Sequence, residues 1–190
     1  MISCTQELDQ FLSLLDDACK QLYDEGLNFE KPPVGVMVEV PAVTSQLHYW
    51  KHKIDFVSIG SNDLSQYLLA VDRNNPRVAK RFDHVHPAVL HEINRIVHTA
   101  RECRLPLNLC GEMASDPVAV LLLLGMGVRS LSMSSSKLPR IKWLIRSVSI
   151  QAAENFLQQA LAQDNVESIR SLGASTLKNM GLSALLNSDG

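Results

Sequence analysis

The chain has 190 residues, 46% of them hydrophobic and 20% charged, which is ordinary globular composition and enough for one or at most two domains with a real core. Its 18 Lys and Arg residues against 20 Asp and Glu residues give a formal charge of −2, so no bulk positive field exists to hold nucleic acid or an anionic membrane surface. An aromatic content of 5% also argues against a base-stacking platform.

The sequence has no visible feature of an exported or membrane-spanning protein. No run of about 18 uninterrupted apolar residues occurs, and the opening MISCTQELDQ lacks the basic and apolar regions of a signal peptide. The four cysteines, Cys4, Cys19, Cys103 and Cys110, form no CxxC pair and no metal-ligand spacing, which suits a reducing compartment. We therefore expect a soluble, cytoplasmic protein.

The first predicted element is an amphipathic helix at residues 7–26, with Gly26 as its C-terminal stop. Its apolar side chains at helical spacing are Leu8, Phe11, Leu12, Leu15, Cys19 and Leu22. Pro32 and Pro33 then end a short polar connection, and residues 34–40 form a nearly continuous apolar run. Such a run predicts a strand that is buried on both faces.

Strand-like and helix-like segments then alternate along the chain. Strands are predicted at residues 34–40, 55–60, 105–110 and 129–133, and helices at 42–51, 64–71, 87–103, 117–124 and 138–148. Asn62 or Asp63 is expected as the N-cap of the second of these helices, and Pro87 as the first residue of the third. Two consecutive helices, 152–162 and 166–180, follow as a helical appendix. This order predicts an α/β fold with a parallel sheet and right-handed crossovers.

In such a sheet, ligand chemistry is expected just beyond the C-terminal ends of the strands. The four predicted ends carry Glu39, then Asn62 with Asp63, then Cys110, and finally residues 132–136. We expect these ends to converge on one site. Because four strands cannot close an eight-stranded barrel, the chain is expected to be the second half of a β/α barrel.

Each candidate residue has a structural alternative to a functional role. Glu39 interrupts an apolar run and is either a hard-metal ligand or a carboxylate that caps the next helix or pairs with an arginine. Asp63 is either a helix N-cap or a second oxygen ligand of the kind that Mg²⁺ takes in proteins. Arg73 is either a clamp for phosphate or carboxylate or a solvated surface pair with Asp72. Cys110 is either a reactive thiol or simply a buried one.

Three weaker signals surround these residues. Residues 60–63 open a helix, so their backbone N–H groups could hold a phosphate. His84 and His86 form an HxH pattern, but no Cys or His partner stands at a convincing spacing for zinc, so a structural role before the helix at Pro87 is expected. Glu112 is expected to hold the loop after Cys110 rather than to touch a substrate.

Four segments, in this order and spacing, resemble the C-terminal part of the phosphoenolpyruvate-binding barrel of PEP-utilising enzymes. They are VMVEVPA, DFVSIGSNDLSQYLLAVDRNN, HPAVL and LNLCGEMASDPVAVLLLLGMGVRSLSMS. Within that superfamily they look most like enzyme I of the phosphotransferase system. The segments CGEMASDP and SMSSSKLPRIKWLIR look most like its nitrogen-related paralogue. The resemblance covers residues 34–150.

The resemblance implies a specific fold and a specific set of site residues. Residues 1–150 would be the C-terminal half of a (β/α)8 TIM barrel, the phosphoenolpyruvate/pyruvate domain, and residues 151–190 would be helices that complete or flank it. Glu39 and Asp63 would bind Mg²⁺, which grips the phosphate and carboxylate of PEP. Asn62, Asp63 and Arg73 would form the substrate-binding set, and Cys110 would be the acid–base group that protonates the enolate carbon as pyruvate forms.

The resemblance also implies partners that lie outside this sequence. The phosphoryl group would pass to a histidine on a separate mobile domain and then to an HPr-like phosphocarrier protein, and the protein would be a homodimer. None of the six histidines lies in anything like a phosphohistidine loop, so we expect the chain alone not to complete phosphotransfer. Two alternatives remain open: a fragment of PEP synthase or pyruvate phosphate dikinase, and a non-catalytic dimerisation or binding module.

Overall fold

A computed structural model describes residues 1–186, and within them the chain forms four strands and nine α-helices. The strands are β1 (Gly35–Val38), β2 (Phe56–Gly60), β3 (Leu107–Cys110) and β4 (Leu131–Ser132). The helices are α1 (Thr5–Asp24), α2 (Pro41–Thr44), α3 (Leu47–Trp50), α4 (Ser61–Leu69), α5 (Pro87–Glu102), α6 (Pro117–Met126), α7 (Leu138–Ser147), α8 (Ile150–Leu161) and α9 (Val166–Asn179). The predicted alternation is confirmed, except that the helix expected at residues 42–51 is split into α2 and α3.

The strands form one parallel sheet in the order β1-β2-β3-β4. The register places Val36 beside Val57, and Cys110 beside both Gly60 and Ser132. All four C-terminal strand ends therefore lie at the same edge of the sheet, where the candidate residues were expected. The parallel α/β architecture is confirmed, but within the described residues the sheet is open, with β1 and β4 at its two edges.

Only one face of this sheet is packed against helices. Side chains that alternate onto that face, including Val38, Ile59 and Leu109, are fully buried. The opposite face carries Met37, which is 41% exposed, and the half-buried Ser58. The prediction that residues 34–40 are buried on both faces is therefore wrong, because among the described residues no helix covers the second face.

The helical core is centred on α6, whose sequence PVAVLLLLGM is apolar all round, as expected for a helix enclosed on every side. Helix α8 packs across it at close range. A Cβ atom added to Gly125 of α6 would lie 2.5 Å from the carbonyl oxygen of Ala153 in α8. The absence of a side chain at Gly125 is what allows the two helices to approach, and the buried α6 gives the loop before it a fixed end.

Helix α1 is confirmed, but its apolar stripe is only partly buried. Leu8 is fully buried, and Thr5 accepts a hydrogen bond from Trp50 Nε1 at 2.8 Å, whereas Phe11 is 46% exposed and Leu22 is 37% exposed. The covered part of the stripe thus lies at the N-terminal end of the helix. Of the helices within residues 1–186, none combines the length and the apolar character needed to cross a membrane.

Two helix starts were predicted from capping signals, with different outcomes. Pro87 is the first residue of α5, and His86 caps that helix by accepting a hydrogen bond from the Ala88 N–H at 3.1 Å, so both the proline and the structural role of His86 are confirmed. Asn62 and Asp63 do not cap α4. The helix follows β2 without a loop, so Gly60 is its N-cap and the two polar residues lie within its first turn.

Replacing Gly125 with alanine should destabilise the fold, although alanine is normally favoured over glycine inside a helix by about 0.5–1 kcal/mol. The obstacle to the new Cβ is a backbone oxygen, which cannot rotate away. We expect the free energy of unfolding, measured in urea, to fall by about 1–3 kcal/mol. Gln158→Ala on the exposed side of α8 is the control and should have little effect. A Gly125→Ala protein as stable as the parent would contradict the close α6–α8 packing.

Candidate active site

Cys110 is the last residue of β3, and its thiol is half-buried. Its Sγ lies 3.5 Å from the carbonyl oxygen of Ile59 and 4.0 Å from Ser58 Oγ, both on the neighbouring strand β2. Ser58 in turn donates a hydrogen bond to Asn108 Oδ1 at 2.5 Å. The thiol therefore lies against the end of β2, on the sheet face that no described helix covers.

Gly111 lets the loop after β3 lie directly on the first turn of α4. Its φ of +114° is in the region that favours glycine, and a Cβ there would lie 2.3 Å from Ser61 Oγ. Ser61 Oγ donates to the Cys110 carbonyl at 2.7 Å, and the Glu112 N–H donates to Asn62 Oδ1 at 3.2 Å. Glu112 thus holds this loop, as expected, but through its backbone N–H rather than its carboxylate.

A cavity of about 330 Å³ opens between these two segments and the end of β4. The residues that line it are Asn62, Cys110, Gly111, Glu112, Ser115, Ser132, Met133 and Ser134. The amide of Asn62 and the thiol of Cys110 therefore share one space at the C-terminal edge of the sheet. Ser132 and Ser134 come from the fourth strand end, which was also expected to contribute.

Two carboxylates, those of Glu39 and Asp63, lie outside the lining of this cavity. A Cβ placed on Gly60 would lie 3.0 Å from Glu39 Oε2, so the missing side chain makes room for the Glu39 carboxylate. Burial raises the pKa of Glu39, and the negative charge of Asp63 raises it further. The Glu39 and Asp63 carboxylates are therefore close enough to repel each other.

Arg73 belongs to the same charged group, since its Nη2 lies 3.5 Å from Asp63 Oδ1. The alternative of a surface pair between Arg73 and Asp72 is not what the structure contains. Asp72 instead accepts a hydrogen bond from the Asn74 N–H at 2.9 Å and closes a local turn. Asp63 consequently neither caps α4 nor stands alone, because it is shared between an arginine and a second carboxylate.

The five expected site residues thus form two adjacent groups rather than the lining of one cavity. Asn62 and Cys110 line the cavity, whereas Glu39, Asp63 and Arg73 are not among its lining residues. Among residues 1–186 no cluster of three or more His, Cys, Asp or Glu side chains could hold a metal ion by itself. Two carboxylates are nevertheless a donor set that fits Mg²⁺, which commonly takes one or two from the protein and completes its shell with water and substrate phosphate.

A second polar cluster next to the site was not predicted from the sequence. Arg170 of α9 donates to both oxygens of Asp83 at 2.8 Å and to Asp116 Oδ2 at 2.8 Å. His84 Nε2 also lies 3.3 Å from Asp116 Oδ2. The Asp116-Pro117 pair is a recognisable helix start, and Asp116 does cap α6. Nothing local in the sequence pointed to Arg170, which is 54 residues from Asp116.

The pKa of Asp116 reflects this environment. Burial alone would raise it, but the hydrogen bond from His84 and the charge of Arg170 bring the pKa of Asp116 well below its usual range. A second cavity, of about 370 Å³, borders the cluster and shares Glu112 and Ser115 with the first. The cluster and the candidate site are thus neighbours at one edge of the sheet.

Comparison with known proteins gives consistent matches over most of the chain. Residues 1–150 match the family described as PEP-utilising enzyme, PEP-binding domain. The chain is 37% identical over 187 residues to the "Phosphoenolpyruvate-dependent phosphotransferase system" protein of Salmonella typhimurium, which covers 98% of this chain and 25% of that protein. It is 41% identical over 162 residues to the "Phosphoenolpyruvate-protein phosphotransferase" of Cupriavidus necator, covering 85% and 28% respectively.

A third relative is longer still. The "Multiphosphoryl transfer protein" of Xanthomonas campestris is 39% identical over 160 residues, which is 84% of this chain and 19% of that protein. The chain therefore spans from about a fifth to just over a quarter of the length of these relatives.

Glu39→Gln should stabilise the protein near neutral pH. A carboxyl group whose pKa is raised by folding contributes stability below its unfolded pKa, and that contribution is lost as pH rises through the folded pKa. We expect the melting temperature of Glu39→Gln to exceed that of the parent by about 2 °C at pH 7, with the difference disappearing by about pH 4. Glu30→Gln, at an exposed position, is the control. A lower melting temperature for Glu39→Gln at pH 7 would contradict the raised pKa of Glu39.

Proposed function

Because the chain belongs to the family of PEP-utilising enzymes through their PEP-binding domain, we propose that it is the PEP-binding part of a phosphoenolpyruvate–protein phosphotransferase. The single observation that carries this proposal is the contact between the first turn of α4 and the loop after β3. Through it, Asn62 and Cys110 share a cavity beside Glu39 and Asp63. The names of the reported relatives favour this activity over nucleotide-linked PEP synthesis.

In this proposal the open sheet is one half of an eight-stranded barrel. Two features support it: the edges of β1 and β4 have no strand partner among the described residues, and one sheet face is uncovered. Unpaired edges of parallel strands are normally covered or paired in a finished fold. Residues 1–150 would supply the half-barrel and residues 151–190 the helices that flank it.

Glu39 and Asp63 would hold Mg²⁺, which when bound would neutralise charge on the phosphate and carboxylate of PEP. The raised pKa of Glu39 supports this assignment, because its main cause is burial and its second cause is the negative charge of Asp63, and a cation bound at the same edge of the sheet would offset both effects. Arg73 would orient the Asp63 carboxylate from the other side. The protein side chains thus fix where the cation sits, and solvent and substrate complete its shell.

Arg73 and Asn62 would bind the anionic oxygens of PEP. Among the described residues, the only carboxylate within ion-pair distance of the Arg73 guanidinium is that of Asp63, at 3.5 Å. A guanidinium carries five N–H donors in a fork that matches phosphate and carboxylate. The Asn62 amide uses its oxygen to accept from the Glu112 N–H, which aims its NH₂ group away from that contact and makes it available to an anion.

Cys110 would exchange the proton with carbon. The thiol would give its proton to the methylene carbon of the enolate as the phosphoryl group leaves, so that pyruvate and a thiolate form, and the reverse step would deprotonate pyruvate. The polar contacts with Ser58 and with the Ile59 carbonyl would orient the Sγ atom for this step.

The remaining parts of the reaction belong to the complete enzyme. The phosphoryl group would pass to a histidine of another domain and from there to an HPr-like phosphocarrier protein. We also propose that the complete enzyme is a cytoplasmic homodimer. The chain by itself would bind the cation weakly and would not complete phosphotransfer.

Mg²⁺ should stabilise the parent chain against thermal unfolding through Glu39 and Asp63. Binding to the folded state alone raises the melting temperature, and we expect about 1–2 °C at millimolar Mg²⁺. The shift should vanish in both Glu39→Gln and Asp63→Asn. Asp72→Asn, which removes a neighbouring carboxylate outside the pair, should retain it. An equal shift in all four proteins would show that the cation binds elsewhere, and no shift in the parent would remove the metal site from the proposal.

Cys110→Ala should abolish most pyruvate formation in an enzyme that contains this chain as its C-terminal part. Loss of a general acid–base group typically costs about 10²–10⁴-fold in rate. Cys103→Ala, at the opposite end of the sheet, is the matched control and should leave the rate unchanged. Pyruvate release can be followed in a coupled assay. An undiminished rate in Cys110→Ala would overturn the acid–base role proposed for Cys110.

A further inference from the structure

We propose that Arg170, in the part of the chain beyond the family match, is a positioning residue. It holds in place the loop after β3, residues 111–116, which we call the Cys110 loop. The inference rests on the proposed function, because it gives the C-terminal helices a role in arranging that site. Arg170 does not line the cavity that contains Cys110. It acts through two aspartates, Asp83 in the segment before α5 and Asp116 immediately before α6.

The first contact is a two-pronged ion pair with Asp83. Arg170 Nε donates to Asp83 Oδ2 and Nη2 donates to Asp83 Oδ1, both at 2.8 Å. Asp83 Oδ1 also accepts from the Val85 N–H at 2.9 Å, and Val85 is fully buried. This hydrogen bond to a buried residue just before α5 fixes the position of Asp83, and Asp83 in turn fixes the position of the Arg170 guanidinium.

The second contact joins the same guanidinium to Asp116. Arg170 Nη1 donates to Asp116 Oδ2 at 2.8 Å. The other oxygen, Oδ1, accepts from the Val118 N–H at 2.9 Å and the Ala119 N–H at 3.4 Å and so caps α6. One oxygen of Asp116 thus holds the helix and the other holds Arg170, so the start of α6 cannot move without disturbing the ion pair.

The link from Asp116 to Cys110 is short and stiff. Residues 111–116 include a single 3₁₀ turn, Glu112–Ser115, in which the Ala114 N–H donates to the Gly111 carbonyl at 3.1 Å. Met113 and Ala114 within it are fully buried. A displacement at Asp116 would therefore be passed to Gly111, whose position against Ser61 leaves no free space.

The ion pairs of Arg170 are partly shielded from solvent, so they can help to hold the Cys110 loop in place. The side chains of Asp83 and Asp116 are 23% and 17% exposed, and that of Arg170 is 38% exposed. Arg95 and Glu92 make a comparable two-pronged pair on α5, but Arg95 is 55% exposed and both residues lie on the same helix. The Arg170 pairs instead connect residues 54 and 87 positions apart. A guanidinium can place two nitrogens on Asp83 and its third on Asp116, whereas a lysine has a single nitrogen and cannot make the two-pronged pair.

The test is the alkylation rate of each cysteine in the 190-residue chain, measured with iodoacetamide and mass spectrometry, without PEP or Mg²⁺. In Arg170→Met the Cys110 loop loses its anchor and opens more often, so we expect the Cys110 rate to rise by about fivefold. Cys103, at the opposite end of the sheet, should react at the parent rate and serves as the internal reference. Arg170→Lys keeps one of the contacts and should give an intermediate Cys110 rate.

Arg95→Met is the matched control, because it removes a two-pronged arginine pair that does not contact residues 111–116. It should leave the Cys110 rate unchanged. If Arg170 merely anchors α9, the Cys110 rate will stay at the parent value in both Arg170 variants, and the proposal is overturned. If Arg170→Met unfolds, the alkylation rates of all four cysteines will rise together. In that case Arg170→Lys is the test: a raised Cys110 rate supports the proposal and the parent rate overturns it.

These measurements are independent of the proposed function. Alkylation without ligand reports only on the position of the Cys110 loop, whereas the Mg²⁺ dependence of the melting temperature reports on the metal site. A faster Cys110 in the Arg170 variants together with no Mg²⁺ effect in the parent would support the positioning role and remove the metal site. An unchanged Cys110 rate in the Arg170 variants together with an Mg²⁺ effect in the parent would support the metal site and overturn the positioning role.

Discussion

The close contact between the first turn of α4 and the loop after β3 is the constraint on which the rest of the site depends. Gly111 makes it possible, because a Cβ at that position would occupy the space of Ser61 Oγ. The contact brings together segments that are about 50 residues apart, as the hydrogen bonds of Ser61 and Asn62 across them show. The cavity, the orientation of the Asn62 amide and the placement of the Cys110 thiol all follow from this junction.

Much of the fold could be predicted because its signals are local. The strands were recognisable from short apolar runs, and Pro87 and Gly26 marked helix boundaries through backbone chemistry that needs no partner. Burial was predicted less well, because it depends on what lies opposite. Met37 and Phe11 have apolar side chains of the kind found in cores, yet both are exposed in the described part of the chain.

In the candidate site, too, the features encoded by nearby residues could be predicted, and those that depend on distant segments could not. Glu39, Asp63 and Cys110 were found from their positions at strand ends, since parallel strands bring those ends to one edge. The pairing of Arg73 with Asp63 rather than with its neighbour Asp72 was not predictable, because it depends on how the segment after α4 turns back. The ion pairs of Arg170 with Asp83 and Asp116 carried no local signal, because they join three distant segments.

The unequal lengths of the two edge strands have a consequence for how the isolated chain behaves in solution. An unpaired strand edge is a template onto which another chain can add a strand, and its capacity grows with the number of free backbone groups. Strand β4 offers only two residues, whereas β1 offers four, one of which is the apolar and exposed Met37. Self-assembly at high concentration should therefore begin at β1, and charged substitutions along that strand would be the first choice for keeping the protein monodisperse.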